Sequence, residues 1–147
     1  MNTIILGLDG SKGSQVAARW TTVAVGPDTR VVAVYVMPRS ELWTIGALQV
    51  DAKPIVDEFR ALLDGQWTQV LRKAGVPYTT RFVRGDPAVE LLRLATRLNA
   101  LMLVIGAKSH GSVHDLVVGG TVHKIINRST VPVTMVPRPR RGSKVPQ

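Results

Sequence analysis

Three features of this 147-residue chain predict an α/β fold built on a parallel sheet. Short apolar runs alternate with amphipathic helical patterns along its whole length. The runs at 3–8, 31–36 and 101–105 are apolar without alternation, as strands buried on both faces are. Polar, glycine-bearing turns follow the first and fourth runs, where a strand gives way to a helix. Together these give βα units with right-handed crossovers and helices on both faces of the sheet. In such sheets ligands bind beyond the carboxyl ends of the strands, where strand order reverses.

The first strand is Thr3-Ile4-Ile5-Leu6-Gly7-Leu8, stopped by Asp9-Gly10-Ser11. From about Gly13 the pattern turns helical, with Val16, Ala17, Trp20, Val23 and Ala24 on one stripe, and Gly26-Pro27-Asp28 ends it. Val31 to Val36 is a second strand, halted by Pro38. Arg39 to Lys53 carries Trp43, Ile45, Leu48 and Val50 without a clear period and reads as either a loop or a short helix. Of the three tryptophans, Trp20 and Trp67 fall on helical stripes and belong to the core, whereas Trp43 is the one placed to meet a ligand or partner.

Pro54 opens a long helix in which Ile55, Phe59, Leu62, Leu63, Val70 and Leu71 recur at helical steps until Gly75. Its acids Asp57 and Glu58 precede its bases Arg72 and Lys73, an order that suits the helix dipole. Val76 to Val83 alternates more and reads as an edge strand. Asp86 is set to cap the next helix, with Pro87 at its first position and Ala88, Leu91, Leu92, Ala95 and Leu98 facing inward. Leu101 to Ile105 is the central buried strand, and Val131 to Val136 is the last, a short edge.

Composition excludes several classes of function. With no cysteine there is neither a disulfide nor a thiolate metal site. No apolar run approaches the roughly 18 residues of a membrane span, and no cationic leader precedes the first strand, so a cytoplasmic protein without membrane contact is expected. The net charge is +9, and Arg138, Arg140, Arg141 and Lys144 in the tail supply four of those charges. The expected organisation is one domain over 1–137 and a basic tail over 138–147 that does not pack. No aromatic residue interleaves with the bases, so the tail reads as solvating rather than as a nucleic-acid site.

The chemistry concentrates in Leu101 to Asn127. Strand, then the polar loop GAKSHGSVHD from Gly106, then Gly119-Gly120-Thr121 at a helix start marked by Val122, Ile125 and Ile126 present backbone N–H groups to an anion. His110 and His114 stand four apart beside Asp115, with His123 beyond, but the ligand count falls short of a zinc site and no metal is expected. There is no Gly-x-Ser-x-Gly elbow and no GxxxxGK[ST] loop, and Asp9 is a lone carboxylate at a strand end. No catalytic residue is assigned.

Leu6-Gly7-Leu8-Asp9-Gly10-Ser11, Gly85-Asp86-Pro87-Ala88, Val104-Ile105-Gly106 and Val133-Thr134-Met135-Val136 together resemble the universal stress protein domain. The resemblance implies a Rossmann-like, adenine-nucleotide alpha-hydrolase-like sheet of order 3-2-1-4-5. It also implies dimers paired through the last strand, and ATP or another adenine nucleotide, with or without Mg²⁺, as ligand. Nucleotide-binding members carry G-x2-G-x9-G-(S/T). In this chain Gly106 and Gly119 match, Ser109 replaces the second glycine, and Gly120 stands where Ser or Thr is usual, with Thr121 one residue late.

The implied nucleotide-binding residues are Asp9, Gly10, Ser11, Val36, Gly106, Lys108, Ser109, Gly111, Gly119, Gly120, Thr121 and Val122. One missing hydrogen bond to a charged group costs about 1.5–3 kcal/mol, or roughly ten- to a hundredfold in affinity. The expected function is regulatory nucleotide binding in a stress response. The alternative is a member that binds no nucleotide and acts as a dimeric interaction module through Val131–Val136.

Overall fold

Five parallel strands in the order β3-β2-β1-β4-β5 form the centre of the molecule, in a computed structural model that describes residues 1–107 and 120–139. They are β1 (Asn2–Gly7), β2 (Thr29–Met37), β3 (Tyr78–Arg84), β4 (Met102–Gly106) and β5 (Val133–Val136). The helices are α1 (Lys12–Ala24), α2 (Arg39–Ala47), α3 (Ala52–Asp64), α4 (Gln69–Lys73), α5 (Pro87–Arg97) and α6 (Gly120–Arg128). β1 lies in the middle, with Ile4 opposite Val31 of β2 on one side and Met102 of β4 on the other. The expected strand order is the observed one.

Alternation along the strands divides the core into two layers. Ile4, Leu6, Val31, Ala33 and Tyr35 pack with α1, α3 and α4, while Ile5, Val32, Val34, Leu103 and Ile105 pack with α5 and α6. Ile5, Leu6 and Leu103 are fully buried. Each such side chain contributes about 1.5–3 kcal/mol relative to exposure. No helix among the described residues is long and apolar enough to cross a membrane.

The segment 39–53, read as either a loop or a short helix, is mostly helical; α2 buries none of its residues and Trp43 is 79% exposed. The structure departs from the sequence reading in three places. The single helix expected from Pro54 to Lys73 is two, because the chain breaks at Gly65. There the Trp67 N–H donates to Leu62 O and the buried Thr68 hydroxyl donates to Leu63 O at 2.8 Å. The apolar spacing runs through this break undisturbed, so periodicity could not reveal it.

On α1 the buried side is Gly13, Ser14, Ala17, Ala18 and Thr21, and Val23 is 81% exposed. Thr21 can be buried because its hydroxyl donates to Ala17 O at 2.8 Å. Leu101 and Ile126, read as interior, are half exposed. Trp67 is buried and Trp20 packs on the core's margin, as expected.

Candidate functional site

β1 and β4 pair as far as Leu6 and Val104, and then the chain leaves them for opposite faces, to α1 on one and α6 on the other. This divergence opens a cleft of about 150 Å³ at the carboxyl end of the sheet. Asp9, Ser11 and Ser14 border it on one side, and Thr121, Val122 and Ile125 on the other. Val36 and Pro38 close the β2 end, and Pro87 and Leu91 of α5 complete the apolar wall.

A knot of short hydrogen bonds sets the polar side. The Ser11 N–H donates to Asp9 Oδ1 at 2.9 Å, an Asx turn. The Ser11 hydroxyl caps α1 by accepting from the Ser14 N–H at 3.2 Å, and the Ser14 hydroxyl donates back to Ser11 O at 3.0 Å. Gly10 makes the turn possible, with φ +80.

Gly106 meets a packing demand beside the phosphate approach its motif implies. A Cβ there would fall on the Gly13 carbonyl and lie 2.8 Å from Ser14 N, and a Cβ at Gly13 would fall on Ala107 O. The two glycines therefore let the start of α1 lie directly on the end of β4, and the cleft's floor depends on that contact.

β2 outlasts its neighbour. Val31 and Met37 bond to the β3 side, through Pro77 O and Gly85 N, whereas Val34 O accepts from Leu8 N on the β1 side. By the same alternation the Val36 peptide groups face the β1 side, where β1 has already ended, and so open on the cleft. The preceding residue, Tyr35, sits in an aromatic cluster, stacked on Phe59 with centroids 5.2 Å apart. Burial, and then Glu41 at 3.4 Å from its hydroxyl, push the Tyr35 phenol well above its ordinary range, so it stays a neutral donor.

Asp86 ties the two helices on the apolar side together. Its carboxylate accepts from the Val89 N–H at 3.1 Å, capping α5 as expected, and lies 3.4 Å from Lys124 Nζ on α6. The Val89 bond chiefly, with Lys124 assisting, holds its pKa below the ordinary 3.8. Its stabilisation is complete above the unfolded value and is lost as pH falls through the lower folded one. Asp86→Ala is expected to cost about 1 kcal/mol at neutral pH. Urea melts should show that difference unchanged from pH 7 to 5 and shrinking below about pH 4; a constant difference at acid pH would contradict the assignment.

Of the residues the sequence singled out, Asp9, Ser11, Val36, Gly106, Thr121 and Val122 come together around this one cleft. Gly10 does not border it but is turned onto Trp67, and Gly120 is the exposed first residue of α6, where an added Cβ would meet none of the described residues within 4 Å. Lys108, Ser109, Gly111 and Gly119 lie outside the described residues, as do His110, His114, Asp115 and tail residues 140–147. Trp43 is not on the cleft's border either.

Sequence reasoning missed Ser14, Tyr35, Pro38, Leu91 and Ile125, and it read Pro87 only as a helix start. Ser14 had a legible signal, since it stands three residues after a capping serine. Among the described residues no group of three His, Cys, Asp or Glu gathers as a metal site would require.

The sequence model of the universal stress protein family matches residues 1–137. Universal stress protein MJ0531 of Methanocaldococcus jannaschii is 25% identical over 146 residues, covering 94% of this chain and 83% of the relative. The solved structure of hypothetical protein MJ0577 matches with a TM-score of 0.80 at 17% identity, over 95% of this chain and 97% of that one. A universal stress protein in complex with cAMP matches at 0.66 and 22% identity, over 92% and 96%. The Arabidopsis thaliana family protein At3g01520 with AMP bound matches at 0.66 and 16%, over 98% and 97%. At such identities the solved structures establish a shared fold.

Proposed function

This chain belongs to the universal stress protein family, and from that premise we propose that it binds an adenine nucleotide of the ATP type in the β1–β4 cleft, as a regulatory and non-catalytic cytoplasmic protein. The observation that carries this reading is the convergence on one cleft of the Asp9 turn, the outward Val36 peptide groups and the start of α6. A peptide N–H and carbonyl side by side match the donor and acceptor of an adenine edge. The Asp9 carboxylate suits ribose hydroxyls, and the amino end of α6 suits phosphate. Solved relatives bearing cAMP and AMP support the ligand class. Thr121 borders the cleft where Gly120 does not, which supports a hydroxyl reaching phosphate from one residue later than the family pattern.

Heating purified protein and identifying released small molecules by mass spectrometry is the direct test. Added ATP, AMP or cAMP at a hundred times its Kd should stabilise the fold by about 2.7 kcal/mol. Asp9→Ala is expected to weaken binding roughly tenfold, as loss of a charged hydrogen bond does. No released nucleotide and no thermal shift would instead favour a dimeric interaction module.

The open edge of β5 favours self-pairing under either reading. Leu103 and Ala107 of β4 donate to Pro132 O and Val136 O, so by alternation the Val133 and Met135 peptide groups point away from the sheet. A second copy pairing there gives a two-fold homodimer. Sedimentation should show a dimer in the wild type and a monomer when Met135 is replaced by proline.

A further inference from the structure

We propose that Trp67 is a positioning residue for the nucleotide cleft: its indole holds the Asp9-Gly10-Ser11 turn and the end of β2 at their working separation. The proposal rests on reading the cleft as a nucleotide site. Trp67 is delivered by the break between α3 and α4 and is only 8% exposed. Its backbone is pinned by Leu62 O, and the next residue by the Thr68 hydroxyl on Leu63 O. It therefore has little freedom to move aside.

The indole touches both polar walls of the cleft from behind. On one side it lies against Gly10, where a Cβ would come 2.5 Å from Cζ2 and 2.9 Å from Cε2. Gly10 stands between Asp9 and Ser11, both on the cleft's border. On the other side the ring meets Tyr35 edge-on, centroids 5.3 Å apart and planes at 70°. Tyr35 directly precedes Val36, whose peptide groups face the cleft. Phe59 braces both rings, at 5.2 Å from Tyr35 and 6.0 Å from Trp67. One buried side chain thus sets the distance between the group suited to ribose and the group suited to base, while touching neither ligand part itself.

A residue that only fills the core would lower the melting temperature and leave the affinity of the folded protein unchanged. The test is therefore a cycle of AMP affinities by titration calorimetry, at a temperature where circular dichroism shows each variant folded. Trp67→Leu should weaken AMP binding about tenfold, the equivalent of one charged hydrogen bond held off its line. Trp67→Phe, the gentler change, should weaken it less and serves if the leucine variant does not fold. Gly10→Ala should also weaken binding, because its Cβ drives against the indole and also strains the backbone at φ +80. Combined with Trp67→Leu it should lose less than the product of the two single losses, since the shorter side chain removes the clash and leaves only the backbone strain.

Strictly multiplicative losses would overturn the proposal. So would Trp67 variants that melt earlier yet bind AMP within about twofold of wild type. Wild-type protein that takes up no adenine nucleotide would overturn the site reading and this proposal with it.

Discussion

Alanine at position 106 is expected to cost the fold about 3 kcal/mol or more, the upper range for inserting a methyl group where nothing can yield. The obstacle is main chain, not a side chain that could rotate: the new Cβ would fall on the Gly13 carbonyl and within 2.8 Å of Ser14 N. Either α1 lifts from β4, taking the capping serine and the Asp9 turn with it, or the protein does not fold. Gly120→Ala is the control, because a Cβ there meets none of the described residues within 4 Å. Alanine at that helical position should be neutral or stabilising by up to about 1 kcal/mol. Urea midpoints of the two variants decide the matter; equal losses would show that the glycines matter for chain flexibility rather than for close packing.

Ile125→Ala should cost about 2–5 kcal/mol, while Ile126→Ala next to it should stay within about 0.5 kcal/mol of wild type. Ile125 is fully buried on the inner side of α6 and borders the cleft, whereas Ile126 is 52% exposed. Removing Ile125's outer methylene and methyl groups leaves a void between α6 and the layer formed by Leu103 and Ile105. The loss should appear in chemical denaturation, with part of it recovered at saturating nucleotide if α6 binds phosphate. Similar effects at both positions would mean that α6 is not seated as described.

The adjacent isoleucines illustrate where sequence reasoning reached its limit. Both fit a helical stripe, and only the packing partner tells which one the stripe is centred on. The same holds on α1, where Val23 looked interior and is 81% exposed, while the polar Thr21 is buried because the helix itself satisfies its hydroxyl. The Asp86 cap, by contrast, was legible, because an N-cap is a contact between residues three apart and needs no tertiary information. The Asp9 turn was legible for the same reason.

Half of the residues named from the sequence gather at the candidate cleft. Asp9, Ser11, Val36, Gly106, Thr121 and Val122 were named and do meet at one cleft. A packing reason for glycine at 106 was not legible, since the contact that requires it lies with Gly13, far off in sequence. Gly10 was assigned to the ligand side and faces Trp67 instead.

What the sequence by itself determined is the alternation of strands and helices, the polar turn after the first strand, the local caps and the family resemblance. Each depends on neighbours within a few residues or on a family pattern of them. Only the tertiary structure decided that helix 54–73 breaks, that Trp67 backs the Asp9 turn, and that Gly13 and Gly106 interlock. Those facts depend on which surfaces meet across the fold. An apolar period records that a residue is buried, but not against what.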